Sequence, residues 1–217
     1  MKPEFISFTG ADEWTSVEEM HKLSGKYPIY WGLLFSPKRQ GTDPRYPTGD
    51  ALSRLMWSNL RLSAHLCGDY SRRIMAGESI VDTIPVDLGY FTTIQVNHTE
   101  PVPAKIIQFR NGWGNMRAIA QTRADTFPTD TSVDWLFDRS GGASIAPTAW
   151  PAHPGGDQLV GYAGGISPDN VREVMSVLEQ MKGRYWIDME SGVRTDDRFD
   201  LEKCRAVCEA VFEKGEA

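Results

Sequence analysis

Eight short apolar or alternating runs, helical patterns between several of them, and a length of 217 residues predict a single (β/α)8 TIM barrel spanning residues 1–217. Strand and helix alternate along the chain, and eight such units in this length fit a closed barrel better than an open doubly wound sheet. No internal repeat, low-complexity segment or linker divides the sequence.

Taken in order, the first run, Phe5 to Thr9, points Ser7 and Thr9 inward, and a helical pattern follows from Val17 to Leu23. Ile29 to Phe35 forms the second strand. The proline- and glycine-rich "SPKRQGTDPRYPTGD" behind it reads as a mobile loop able to close over a substrate, and Ala51 to Trp57 as a helix. In the third strand, Leu60 to Cys67, successive side chains alternate between faces. Leu62, Ala64 and Leu66 therefore go outward under helices, and Ser63, His65 and Cys67 inward. The stretch from Ser71 to Tyr90 lacks a crisp helical pattern and reads as a distorted connection or an excursion over the barrel. Thr92 to Asn97 is a strand with Gln95 and Asn97 inward. Lys105 to Arg110 reads as the fifth strand, with Gln108 and Arg110 inward, and Met116 to Arg123 as a helix. Val133 to Asp138 sends Val133, Trp135 and Phe137 outward and leaves Asp138 inside at the C-terminal end. Leu159 to Ala163 is the seventh strand and Val171 to Met181 a helix. Tyr185 to Glu190 points Trp186, Asp188 and Glu190 inward, ahead of a last helix from Leu201 to Phe212.

Six strands thus place polar side chains inward near their C-terminal ends. Such groups are costly as packing, and that rim is where barrels of this kind keep their chemistry. The alternative is that they satisfy one another or bind water. The segment "GYAGGISPDNV" adds a glycine turn, Gly164 and Gly165, before a helix start marked by Ser167 at the cap, Pro168 at the first position and Asp169 in the first turn. Glycines admit close backbone approach and a helix N-terminus favours an anion, so phosphate is the physical expectation; a bare strand-to-helix connection is the alternative.

Composition bounds the partners. In a chain with 41% hydrophobic and 24% charged residues, a net charge of −6 and a pI near 5.3 argue against a nucleic-acid surface but are compatible with a local basic pocket for a small anion, and small molecules, not nucleic acid, are the expected partners. The N-terminus lacks a signal-peptide core and no apolar run reaches membrane-spanning length, so the expected location is cytoplasmic, without membrane association. Three cysteines form neither a disulfide framework nor a zinc pattern.

In this order the motifs resemble phosphoribosylanthranilate isomerase, nearly end to end. "YWGLLFSPKRQGTDPRYPT" is similar to that family's second strand and loop, which implies that Arg45 meets the anthranilate part of the substrate. "TTIQVNHTE" resembles the fourth strand with its glutamine, Gln95. "VDWLFDRSGG" resembles the sixth, ending in the catalytic aspartate, Asp138, and glycines Gly141 and Gly142. "GYAGGISPDNV" and "WIDMESGV" resemble the seventh and eighth strands, implying a phosphate site at Gly142, Gly164, Gly165, Ser191 and Gly192. The implied reaction is an Amadori rearrangement of an aldosylamine to an aminoketose, on a phosphorylated sugar, by acid and base and without a cofactor.

The sequence also departs from the family pattern. The base, a cysteine before glycine on the first strand, is here Thr9 before Gly10, and a threonine hydroxyl titrates too high to replace a thiolate. Asn97 stands where the family has a histidine, "GGASIAPTAW" replaces a threonine-bearing glycine segment, and Glu190 and Arg194 flank Ser191 and Gly192. Asp138 is the expected acid. Cys67, two residues from His65 on one strand face, is the first candidate for the base, with Asp188 and Glu190 as alternatives. Thr9, Arg45, His65, Gln95, Arg110 and Asp188 complete the expected substrate-binding set. A related sugar-phosphate enzyme, a non-catalytic phosphate-binding barrel, and a metal enzyme built on His65, Cys67, Asp138 and Asp188 are the competing readings.

Overall fold

The computed structural model describes residues 1–140 and 145–213, so Gly141 and Gly142 lie outside the described residues. Eight parallel strands close into a barrel in chain order: β1 (Ile6–Thr9), β2 (Ile29–Phe35), β3 (Leu62–Leu66), β4 (Thr93–Val96), β5 (Arg117–Thr122), β6 (Asp134–Asp138), β7 (Leu159–Ala163) and β8 (Arg184–Met189). Closure is through β1 and β8, where Ser7 is in register with Asp188. The helices are α1 (Val17–Lys26), α2 (Gly49–Met56), α3 (Asp69–Ala76), α4 (Pro103–Arg110), α5 (Val171–Leu178) and α6 (Leu201–Phe212). None is long and apolar enough to cross a membrane.

The TIM barrel is therefore the observed fold, but one unit is corrected. Lys105 to Arg110, expected as a strand, belongs to α4, and Met116 to Arg123, expected as a helix, is β5. A six-residue apolar run cannot be assigned by periodicity alone. What decides it is Pro103 in the first helical turn, with Ile106 buried and Ile107 and Phe109 packed against the core. In β5 the two alanines favour helix intrinsically, yet Ala118 and Ala120 face outward and Ile119 and Gln121 inward, in strict strand alternation. The stretch from Ser71 to Tyr90, expected as an irregular excursion, begins inside α3 and ends in a short turn at Leu88–Tyr90; buried Ile80, Ile84 and Leu88 pin it between them.

Among the described residues no helix lies between β5 and β6 or between β6 and β7. Aromatic rings cover that face instead. Tyr162, fully buried on β7, meets Phe127 at 5.5 Å, Trp150 at 5.8 Å and Tyr185 at 6.0 Å between ring centroids, and Trp150 also meets Phe137 at 6.0 Å. Edge-to-face pairs of this kind contribute about 0.5–1.5 kcal/mol each beyond the area they bury.

The barrel interior has two layers. The lower is an apolar plug of Phe5, Ile119, Leu136, Leu159 and Trp186, in which Phe5 stacks on Trp186 at 5.5 Å. Gly161 is required there, because a Cβ would lie 2.3 Å from the Trp186 ring. Above the plug, toward the C-terminal ends of the strands, the inward side chains turn polar: Ser7, Thr9, Ser63, His65, Thr93, Gln95, Gln121 and Asp188 are all buried. This layer forms the floor of the candidate site.

Candidate active site

Thr9, His65 and Asp188 converge above Gly32 of β2. A Cβ on Gly32 would meet Thr9 Oγ1 at 2.4 Å and His65 Nε2 at 3.0 Å, so glycine is what lets side chains from β1 and β3 approach across β2. Thr9 Oγ1 donates two long, weak contacts to the Asp188 carboxylate, at 3.4 and 3.5 Å. Burial pushes Asp188 up from 3.8 to about 7. Ser7 and Thr9 oppose the shift by hydrogen bonding, while the nearby charges of Glu190 and Asp138 reinforce it. His65 shifts the other way, down to about 3, by burial alone, and is therefore neutral. Its Nδ1 lies 3.2 Å from the Gln95 amide nitrogen. With that amide donating, Nδ1 is the acceptor and Nε2 carries the proton. Nε2 is buried and has no protein partner among the described residues.

Asp138 ends β6 at the mouth of the barrel. Its carboxylate accepts from Gln121 Nε2 at 2.7 Å, from Ser140 Oγ at 2.7 Å and from Ser140 N at 3.0 Å, which fixes its orientation toward the cleft. Gln121 and Ser140 are site residues that the sequence reading did not name. The alternation of "RAIAQT" places Gln121 inward, a signal lost when that segment is read as a helix. The expected pairing of Cys67 with His65 is not formed. The Cys67 thiol points to the His65 carbonyl at 3.7 Å and accepts from Asn97 Nδ2 at 3.3 Å, while Asn97 Oδ1 accepts from Gln95 at 3.0 Å. Burial pushes Cys67 up to about 11, so it is a neutral thiol.

The charged rim residues pair with one another. Arg45 Nη1 donates to Glu190 Oε1 at 3.0 Å, spanning the mouth from the β2 loop to β8. Glu190 is raised by burial, which that contact partly opposes. Arg194, which with Glu190 flanks Ser191 and Gly192, is held in a buried ion pair with Asp12 at 2.9 Å, and it also donates to the Gly10 carbonyl at 2.7 Å. Arg194 begins a two-stranded ribbon, β9 (Arg194–Thr195) and β10 (Arg198–Phe199), whose Phe199 N also donates to Asp12 at 2.7 Å. Arg110, expected as an inward substrate residue, is corrected along with its strand. It ends α4 and donates to the Met116 carbonyl at 3.3 Å, at the entrance to β5 on the opposite end of the barrel from the rim.

At the tops of β7 and β8, Gly164 and Gly165 adopt positive φ angles of 116° and 63°. A Cβ on Gly165 would meet Ala146 N at 2.5 Å, and one on Gly192 the Ile166 carbonyl oxygen at 2.0 Å, so part of the need for glycine is close packing of neighbouring loops. The helix begins later than its signals placed it. Ser167 to Asn170 form a turn in which Asn170 Oδ1 accepts from Ser167 N at 2.9 Å, and α5 starts at Val171. Among the described residues nothing accepts a hydrogen bond from the backbone N–H of Gly165, Ile166, Ser191 or Gly192. These residues, Thr9, His65, Asp138 and Asp188 line one cleft. No group of three histidine, cysteine, aspartate or glutamate side chains among the described residues is arranged to hold a metal.

Residues 115–210 match the family model of N-(5'phosphoribosyl)anthranilate (PRA) isomerase. A search of curated proteins finds no match. Solved structures share the fold at low identity. A phosphoribosyl anthranilate isomerase from Thermus thermophilus is 18% identical with a TM-score of 0.59, covering 95% of this chain and 97% of that one. One from Pyrococcus furiosus is 16% identical with a TM-score of 0.61, covering 95% and 98%. A further isomerase, solved with reduced 1-(o-carboxyphenylamino)-1-deoxyribulose 5-phosphate, is 14% identical with a TM-score of 0.58, covering 95% and 97%. The family resembled in the sequence is the family that the comparisons return. Its sequence signature lies in the half that carries Asp138, the glycine turn and Asp188.

Proposed function

We propose that this chain, related to the PRA isomerase family through residues 115–210, isomerises a phosphorylated aldosylamine to an aminoketose, with Asp138 as acid and Asp188 as base. The observation that carries this reading is the buried Asp188 carboxyl beside Thr9. It reaches the end of β1 from β8, and burial brings it to about 7, where a general base is most effective near neutral pH.

In the proposed reaction Asp138 protonates the ring oxygen as the C1–O bond breaks and the amine lone pair forms a C1–N double bond. Asp188 removes the proton from C2, giving an enolamine. Protonation at C1 and loss of the C2 hydroxyl proton then yield the ketone, so no external oxidant or reductant is consumed. His65, neutral and with Nε2–H directed at the space above Gly32, supplies a hydrogen bond to a substrate oxygen without competing for protons. The four backbone N–H groups at the tops of β7 and β8 support a phosphate position there, since convergent unpartnered amides form an anion-binding concavity. The corresponding contribution of Gly142 is part of the same proposal.

The test is turnover of freshly prepared phosphoribosylanthranilate, followed chromatographically, by the wild type and by the Asp138→Asn and Asp188→Asn variants. Turnover lost in both variants supports the reading. Turnover that survives Asp188→Asn sinks the base assignment. No turnover by the wild type removes anthranilate as the amine.

A further inference from the structure

Beside the cleft that holds Asp138 and Asp188 lies a broader one of about 440 Å³, on the side of the rim formed by the loops after β2, β3, β4 and β5. The two clefts share Asn97, Asp138 and Glu190, so they are halves of one groove. Their charges differ sharply. Among the described residues the glycine-turn half has no lysine or arginine in its lining, whereas the broad half is lined by Lys38, Arg39, Arg45, Arg72 and Arg123. Arg45 is committed to Glu190, and Arg72 pairs with Asp69. Among the described residues Lys38, Arg39 and Arg123 have no carboxylate within ion-pair distance. Arg39 is steadied over the Tyr46 ring, 5.7 Å from its centroid, with Nη1 donating to the Tyr46 hydroxyl at 3.3 Å.

With those two pairs set aside, the lining keeps three cations against the single carboxylate of Asp138, a positive balance within a chain of net charge −6. A lone carboxylate is satisfied by a single bidentate arginine, while a phosphate offers more acceptor oxygens and more charge than one arginine matches. We propose that this half of the groove is a second anion subsite, taking a phosphate-class dianion carried on the amine portion of the substrate. This rests on the isomerase reading for the placement of the sugar, and it narrows the substrate to a molecule with dianionic groups at both ends.

The test is NMR titration of the whole protein with inorganic phosphate and then with fructose 1,6-bisphosphate. The signals followed are the backbone amides of Gly165, Ile166, Ser191 and Gly192 and the guanidinium Nε–H groups of Arg39 and Arg123. The inference expects phosphate to saturate both sets separately. Read at the backbone amides of Gly68 and His98, which line the same half, an Arg39→Ala/Arg123→Ala double variant should weaken the response on the β2–β5 side at least about tenfold and leave that of Gly165, Ile166, Ser191 and Gly192 unchanged. A bisphosphate that binds at least about tenfold tighter than phosphate and moves both sets together marks a substrate groove; one bound no more tightly than phosphate marks a free-phosphate site and overturns the substrate assignment. Response at the amides alone overturns the inference and leaves the glycine-turn phosphate position standing. Response at the arginines alone upholds the second subsite and removes the first. Response at neither overturns both.

Discussion

Replacing Asp188 with asparagine should raise stability at neutral pH while removing turnover, and the two effects share one cause. Burial holds the native carboxyl at about 7 against its usual 3.8. Well below pH 3.8 the folded and unfolded states both carry the proton. Between about 4 and 7 the native state keeps a proton that the unfolded state has lost, so stability falls as pH rises, by about 1.4 kcal/mol per pH unit. Above 7 the loss is complete at about 4 kcal/mol. Asparagine titrates nowhere in this range, so the variant-minus-wild-type difference in unfolding free energy should climb from pH 4 to 7 and then level off. His65 works in the opposite sense. Its native value of about 3 lies below its usual 6.5, so it costs stability as pH falls from 6.5 toward 3. In the wild type the two slopes nearly cancel between pH 4 and 6.5; in the variant the histidine slope is exposed. Urea unfolding at half-unit steps from pH 4 to 8.5 measures the difference curve. A flat difference over that range would refute the account of Asp188 as a buried, displaced carboxyl, and with it the reason for choosing it as base.

Three further outcomes follow from other contacts. Cys67→Ser should keep kcat/KM within a few-fold, because a thiol held at about 11 is not the base; a loss above 100-fold with the fold intact by circular dichroism would return that role to Cys67. Arg194→Met should lower stability by about 3–5 kcal/mol, on the order of 10 °C in Tm, since it strands the Asp12 carboxylate in a pair whose side chains are 6% and 0% exposed; an unchanged calorimetric Tm would show the pair to be dispensable. Thr9→Cys should not increase turnover. A thiol placed beside the Asp188 carboxylate, where Thr9 Oγ1 lies at 3.4 Å, is held protonated by burial and by like charge, and a tenfold gain in kcat/KM would contradict that reasoning.

The sequence reading succeeds where side-chain alternation and packing agree. In β3, Leu62, Ala64 and Leu66 face the helices and Ser63 and His65 the interior, as period-two reading requires. It fails at Lys105 to Arg110 and Met116 to Arg123, where short apolar or alanine-bearing runs fit either period and the choice is made by what packs outside the barrel. That exchange brought Arg110 into the expected site and kept Gln121 out of it. The Arg45–Glu190 and Arg194–Asp12 pairs join residues 145 and 182 positions apart, and no local pattern encodes such partnerships. Convergence above Gly32 is equally hidden. A glycine between apolar residues in "YWGLLF" carries no signal of which side chains will meet over it until the barrel is closed.

One physical circumstance accounts for both unusual titrations in the site. The polar layer rests on an apolar plug that admits no charge, and Gly32 lets Thr9, His65 and Asp188 share the low-dielectric space above it. Desolvation opposes whichever form is charged, so it drives the carboxyl up and the imidazole down, leaving a donor that stays neutral and an acid that changes state near pH 7. A threonine at position 9 fits that arrangement. It offers a hydroxyl to the carboxylate without adding a second ionisable group to a space where one charge is already costly. A cysteine there would bring a second ionisable group within 3.5 Å of Asp188, and this space could not hold both as anions.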